Sequence, residues 1–298
     1  MSIYETRDPR FRALIQPSAR LDLLGTGLRW AEGPVWFPAH QALYLSDIPN
    51  DRIMRWTEGT GLTVFRQPAN YTNGHTRDRE GRLVSCSHGL RAVIRTEHDG
   101  SITVLASSHR GRRLNSPNDV VVARDGAVWF SDPTYGILSD YEGYEAAPEQ
   151  ETTAVYRIPP GGGEPERVIT GFVQPNGLAF SPDGSRLYVA ESGSSHDTAV
   201  PSLLRVFDVD IGQVGSAREF ARIDRGLPDG LRVDVKGHVW CSAGDGVHVF
   251  HPDGTLLGKI LVPETVANLC FGGPRGNRLF IAATTSVYAV FVNARAPD

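Results

Sequence analysis

Six polar residues of this 298-residue chain occupy one recurring place in a repeated segment: Glu32, Asn73, Asn118, Asn176, Asp229 and Asn268. Two are acids and four are amides. Carboxylates gathered without a cation repel one another, and buried amides need partners. One divalent ion answers both needs by neutralising the acids and accepting the amide oxygens. Oxygen-only ligation suits a hard cation, Ca2+ first, with Mg2+ or Mn2+ next. No histidine shares the position, which sets Zn2+ last. Taken singly, Asn73-Gly74, Asn176-Gly177 and Asp229-Gly230 read as turns. Glu32 is no turn former, and its place in the same slot favours the ion.

The segments carrying these residues must bring them together. They are EGPVWFPAHQALYLSD from Glu32, NGHTRDREGRLVSCSH from Asn73, NDVVVARDGAVWFSD from Asn118, NGLAFSPDGSRLYVAE from Asn176, DGLRVDVKGHVWCSA from Asp229 and NLCFGGPRGNRLFIAAT from Asn268. Each reads as a short apolar strand, a polar turn and an alternating strand. Their starts lie roughly 40 to 60 residues apart, close to the repeat of a four-stranded blade. Further short strands fill the intervals, such as residues 52–56 and 62–65. The expected fold is therefore all-β, a six-bladed β-propeller with four-stranded blades, forming one domain over 1–298. The last unit has room for three strands, so residues 20–24 are expected to supply the fourth and hide two open edges. Residues 1–19 remain as an N-terminal extension. In a propeller the innermost strands line the channel, so the six leading residues converge on its axis.

The longest insertion, 137–153, is acidic with two tyrosines and reads either as a rim or lid over the channel or as a plain surface excursion. Asp47, Asp132 and Glu191 end second strands in matching positions, either supporting the ring or capping surface turns. His75 and His88 read first as hydrogen-bonded structural histidines. With 30 basic and 34 acidic residues the net charge is −4, and nothing calls for nucleic acid or a membrane surface. Cys86, Cys241 and Cys270 form no CxxC pair and read as buried free thiols, which together with the absence of an apolar leader points to the cytoplasm.

AEGPVWFP near Glu32, SPNDVVVARDGAVWFSDPTYGI from Ser116, QPNGLAFSPDG from Gln174 and LPDGLRVDVKGHVW from Leu227 together resemble the SMP-30/gluconolactonase family. The bacterial gluconolactonases are the nearest branch, over nearly all the chain after Gly25. The resemblance implies a six-bladed propeller with one divalent metal. It places Glu32, Asn176 and Asp229 at the family's metal ligands and Asn118 at a position that contacts metal or substrate. It places Asn73, His88 and Tyr135, beside Asn118, in the sugar pocket. Animal members carry an arginine two residues before Asn118, where this chain has Ser116.

Lactone hydrolysis needs an activated water, a polarised carbonyl and a place for the oxyanion. The expectation is metal-dependent hydrolysis of a sugar lactone, D-glucono-1,5-lactone to gluconate first, with Asp229 as general base and Glu32 as runner-up. A carboxylate bound to a dication is a weak base, so Asp229 serves only if one oxygen ligates while the other faces water. The alternatives are a phosphotriesterase or arylesterase on the same architecture, and a non-enzymatic interaction platform with a structural ion. No G-x-S-x-G, G-x-G-x-x-G or H-E-x-x-H motif offers another chemistry.

Overall fold

A computed structural model of the chain describes residues 2–297. Its strands form a six-bladed propeller of antiparallel sheets. From the axis outward, blade 1 runs Ala31–Phe37, Ala42–Asp47, Arg52–Thr57 and Gly61–Arg66. Blade 2 runs Thr72–Arg77, Leu83–Ser87, Ala92–Thr96 and Ile102–Ala106. Blade 3 runs Val120–Val122, Val128–Asp132, Ala154–Ile158 and Glu166–Ile169. Blade 4 runs Pro175–Phe180, Arg186–Glu191, Leu203–Asp210 and Arg218–Arg222, with the short Gln213–Val214 beside its third strand. Blade 5 runs Leu231–Val233, Val239–Ala243, Gly246–Phe250 and Leu256–Leu261. Blade 6 runs Val266–Gly272, Arg278–Ala283, Ser286–Phe291 and Asp22–Thr26. The first strand of each blade touches the first strand of the next, and the cycle closes from Val266–Gly272 back to Ala31–Phe37.

The two-residue alternation decides which neighbour each side chain meets. In Ala42–Asp47, Leu43 and Leu45 pack towards blade 6 against Phe280, Ala282 and Val287. Ala42 and Tyr44 turn the other way and join Leu83 of blade 2. Both faces are covered, so all six residues of this strand are buried. Each buried leucine or aromatic ring contributes about 1.5–3 kcal/mol, and the layers between blades are where that apolar surface accumulates. Trp36 stacks on Phe280 with centroids 5.2 Å apart, made possible by Gly272, where a Cβ would lie 2.5 Å from the indole.

The closing strand is Asp22–Thr26, two residues beyond the expected 20–24, paired with Ser286–Phe291 through Leu23 opposite Tyr288 and Thr26 opposite Ser286. The N-terminal extension is a working part of the sheet system. Tyr4–Thr6 adds a fifth strand to blade 5, with Glu5 opposite Lys259. The 3-10 turn Pro9–Ala13, capped by Asp8, buries Phe11 completely in the core of blades 5 and 6. The three cysteines are buried and free. Among the described residues no helix is long and apolar enough to cross a membrane.

Candidate active site at the channel mouth

Four of the ring residues stand on irregularities of the innermost strands, and Asn118 and Asp229 lie just before theirs. Pairing with the second strand shifts register between Glu32 and Val35, Thr72 and His75, Pro175 and Leu178, and Val266 and Asn268. Such bulges re-aim a side chain out of the sheet's alternation. The glycine after the ring residue makes no hairpin turn; it lets one blade approach the next. A Cβ on Gly33 would lie 2.1 Å from the carbonyl oxygen of Asn73, and one on Gly177 would lie 2.2 Å from that of Asp229. A Cβ on Gly230 would lie 2.0 Å from the amide carbon of Asn268. The close approach, rather than turn chemistry, explains the Asn-Gly and Asp-Gly pairs.

The acids that end the second strands brace the ring. Asp47 accepts from the backbone N–H of Arg29 at 2.8 Å, three residues before Glu32. Asp132 accepts from Asn115 and Ser116, both at 2.9 Å, just before Asn118. Glu191 accepts from Val173 at 3.0 Å and Gln174 at 2.9 Å, just before Asn176. All three are fully buried, so they are internal supports and not surface caps. Burial pushes the Asp132 carboxyl up to about 7 against the pull of its two backbone donors.

The six ring residues stand at or beside the starts of neighbouring innermost strands, but their side chains do not play equal parts. Asn268 Nδ2 donates to Glu32 Oε2 at 3.0 Å, and its Oδ1 accepts from the backbone N–H of Leu269 at 2.8 Å. Its amide nitrogen holds Glu32 and its oxygen is turned to the backbone of blade 6, a departure from the equal ring expected of the repeat. The Asn176 amide lies against the Asp229 carboxylate. Five of the six residues are buried, and Asp229 alone keeps part of its surface open. Burial, and then repulsion from Asp119, raise the Glu32 carboxyl. Burial, and then repulsion from Glu32, raise that of Asp229. No lysine or arginine pairs with either among the described residues.

His88 has a fixed tautomer. Its Nδ1 donates to the carbonyl of Glu142 at 3.0 Å, which leaves Nε2 to accept from Asn73 Nδ2 at 3.3 Å. Burial lowers its pKa to about 4, so the ring is neutral. Asn73 Oδ1 is left buried with no partner. His75 is a structural residue, held between Ser46 Oγ at 2.8 Å and Ser85 Oγ at 2.7 Å and lowered to about 3 by burial. Tyr135 reaches across to blade 4, with its hydroxyl 2.8 Å from Ser195 Oγ, and stays half-buried near Asp229. Ser116 donates to Pro133 O at 2.7 Å and accepts from Gly136 N at 3.0 Å. It ties down a turn.

Three residues of the site escaped the sequence reading. Asp119 is buried with Oδ2 unpartnered, 3.6 Å from Arg232 Nη1, and its charge reaches both Glu32 and Asp229. A signal existed: glycine follows four of the six ring residues, and Asn118 is followed by Asp119. Arg232 is its partner on blade 5. The third is Glu142, from the 137–153 insertion, whose charge also acts on Glu32 and Asp229. Burial pushes its own carboxyl up to about 7.

A second cluster of ligand-type residues lies outside the channel. Asp224, Asp245 and His248 bring their side-chain atoms within 4.8 Å of one another. Lys259 Nζ already sits there, 2.6 Å from Asp224 Oδ1 and 3.0 Å from Asp245 Oδ2. Its ammonium holds the place an ion would take.

Known proteins resemble this chain over most of its length. The gluconolactonase of Zymomonas mobilis is 31% identical over 95% of this chain and 84% of its own length. A pentonolactonase of Haloferax volcanii is 30% identical over 87% of this chain and 83% of its own. The structure of a gluconolactonase from Xanthomonas campestris superposes with a TM-score of 0.91 at 38% identity, covering 97% of this chain and 94% of that one. Residues 30–285 match the family described as SMP-30/Gluconolactonase/LRE-like region, and the chain belongs to that family.

Proposed function

We propose that this chain hydrolyses a sugar lactone, D-glucono-1,5-lactone first, with one divalent ion held by Glu32, Asn118, Asn176 and Asp229. The observation that carries the reading is the uncompensated pair of enclosed carboxylates, Glu32 and Asp229, each raised by burial and by neighbouring acids. A dication fits them: the donors are all oxygens, and Arg232 on blade 5 is engaged with Asp119. Ca2+ suits this set first. The two lactonase relatives and the gluconolactonase structure support the substrate class.

A dication at this place supplies Lewis acidity towards the lactone carbonyl. The protein's residues do the rest. Asp229, the one ring residue open to the mouth, takes a proton from the attacking water and returns it to the ring oxygen as the C–O bond breaks. Asn268 and the backbone N–H of Gly33 hold Glu32 in place. Asn73 Oδ1, buried and unpartnered, accepts from a substrate hydroxyl; His88 fixes its orientation. Asn118 and Tyr135 line the approach. This polar lining, with Asp119 and Arg232 beside it, suits a polyol better than an aryl ester.

The test is lactone hydrolysis by purified protein against a panel of aldonolactones, with and without chelator. Chelation abolishes the rate, and the ion restores it. A rate untouched by chelation overturns the ion's role. Asp229→Asn lowers kcat by about 10²–10⁴-fold, and full activity in that variant overturns its role as base.

A further inference from the structure

The insertion between the second and third strands of blade 3 folds back onto the channel mouth and is pinned there. The carbonyl of Glu142 accepts from His88 Nδ1 at 3.0 Å. Gly143 packs so closely that a Cβ would lie 2.1 Å from the carbonyl oxygen of Gly136. The backbone N–H of Ala146 donates to Ile137 O at 3.1 Å, and the Tyr144 ring meets Tyr71 of blade 2 edge-on with centroids 5.3 Å apart. The backbone on either side of Glu142 is thus fixed on three sides. Its carboxylate is not: among the described residues no donor reaches it, and no arginine or lysine influences it. It is partly buried and close enough to act electrostatically on Glu32 and Asp229.

Four carboxylates therefore share this space: Glu32, Asp119, Asp229 and Glu142. His75 and His88 are neutral, so among the described residues the only basic side chain paired with any of the four is Arg232, on Asp119. Arg232 and one dication together balance three of the four charges. Above about pH 7, the value to which burial raises its carboxyl, Glu142 is the charge left over, on the side from which substrate enters, with its lone pairs free. A carboxylate in that condition does two things. It accepts hydrogen bonds from hydroxyl groups, and it repels anions.

We propose that Glu142 is the specificity-determining residue of the channel. Its carboxylate binds hydroxyls of an uncharged polyhydroxy lactone and turns away lactones bearing a phosphate or sulfonate. The inference rests on the lactonase reading above and adds to it the class of lactone accepted.

The experiment compares kcat/KM for D-glucono-1,5-lactone and its 6-phosphate in the ion-loaded enzyme and in Glu142→Gln. The unmodified enzyme prefers the uncharged lactone. Glu142→Gln raises KM for the uncharged lactone about tenfold and lowers KM for the phosphate by a similar factor, as expected for losing one hydrogen bond to a charged group and one like-charge contact. The preference shrinks about a hundredfold, with the unfolding midpoint unchanged. A purely structural role lowers both substrates in parallel, and that result overturns the proposal, as does an unmoved preference. If Glu142→Gln fails to fold, Glu142→Ala is read in the same way. In the unmodified enzyme, added salt lowers KM for the phosphate and leaves that for the uncharged lactone unchanged; equal salt dependence overturns the proposal. An unmodified enzyme that hydrolyses neither lactone sinks the lactonase reading, and this inference with it. An active enzyme whose preference ignores Glu142 sinks the inference alone.

Discussion

On the outer part of blade 5, Asp224 and Asp245 grip Lys259 between them, with His248 Nε2 2.7 Å from Asp245 Oδ1. At the channel mouth, Glu32 and Asp229 share an enclosed space with Asp119 and Glu142 and have no cation of their own. By residue type and closeness, the blade 5 cluster is the better-looking metal site, since it offers a histidine and two acids. By charge it is already complete. Its aspartate Asp245 is held below the usual carboxylate range: burial raises it, but the bonds from His248 and Lys259 more than offset that. The channel acids are pushed the other way. An ion belongs where negative charge is left over after the protein's own cations are counted, and that criterion picks the channel.

The largest effect that tests this contrast is on divalent binding and turnover. Glu32→Gln or Asp229→Asn weakens calcium binding, read by calorimetry, and lowers lactone hydrolysis by about 10²–10⁴-fold. Asp245→Asn leaves both unchanged. A calcium site that survives Asp229→Asn and disappears in Asp245→Asn reverses the assignment of the two clusters.

A smaller effect sharpens the comparison from the other side. Lys259→Met removes the ammonium and leaves two carboxylates and a histidine around a vacated position. The half-exposed Asp224 limits the penalty, so destabilisation is about 2 kcal/mol, less than the loss of about 3–5 kcal/mol for breaking a fully buried pair. The variant then binds Zn2+, whose preference for nitrogen and oxygen ligands matches His248 and the two aspartates. Zinc restores part of the lost unfolding temperature in Lys259→Met and does nothing at this position in the unmodified chain. If the variant neither loses stability nor gains a zinc site, Lys259 is not acting as the cluster's cation.

The sequence made much of this legible. Six copies of one strand-turn-strand grammar carried the propeller, because blade geometry repeats wherever the alternation does. Register alone put Glu32, Asn118, Asn176 and Asp229 at matching places on four innermost strands. Three things were not legible, each for a physical reason. Asn268 stands in the ring yet turns its nitrogen to Glu32, a choice set by which neighbour needs a donor and invisible in the spacing. Phe11 lies in a segment read as an extension, since a single buried ring leaves no periodicity. Glu142 comes from an insertion with no counterpart in other blades, so no register placed it. Only Asp119 left a trace, as the acid following Asn118 where four blades carry glycine. The bracing role of Asp47, Asp132 and Glu191 was legible as a possibility, and burial decided it.

The smallest effect is the pH dependence of stability, where the two clusters act with opposite sign. Glu32 and Asp229 have folded pKa values raised above their unfolded values. The folded ion-free chain therefore binds more protons than the unfolded one across the window between those values, and stability falls as pH rises through it. For Asp245 the folded value is depressed, so its contribution is present above the ordinary aspartate range and lost only as pH falls through that lowered value. Lys259, raised, keeps its contribution until pH passes its own elevated value. Between pH 5 and 8 Asp245 and Lys259 are thus flat and the channel pair slopes. His75, His88 and His248, all lowered, add a slope of the other sign, with stability lost as pH falls below about 6.5; they are shared by both forms of the protein and cancel in a difference. The quantity to measure is stability with calcium minus stability with chelator, by denaturant titration at each pH. At saturating calcium that difference grows by about 1–2 kcal/mol from pH 5 to pH 8, because the dication keeps both carboxylates ionised while the ion-free chain must either protonate them or hold two unpaired charges. In Glu32→Gln/Asp229→Asn the growth vanishes, whereas in Asp245→Asn it persists. A difference that stays constant with pH, or that persists in the double variant, places the uncompensated charge elsewhere in the molecule.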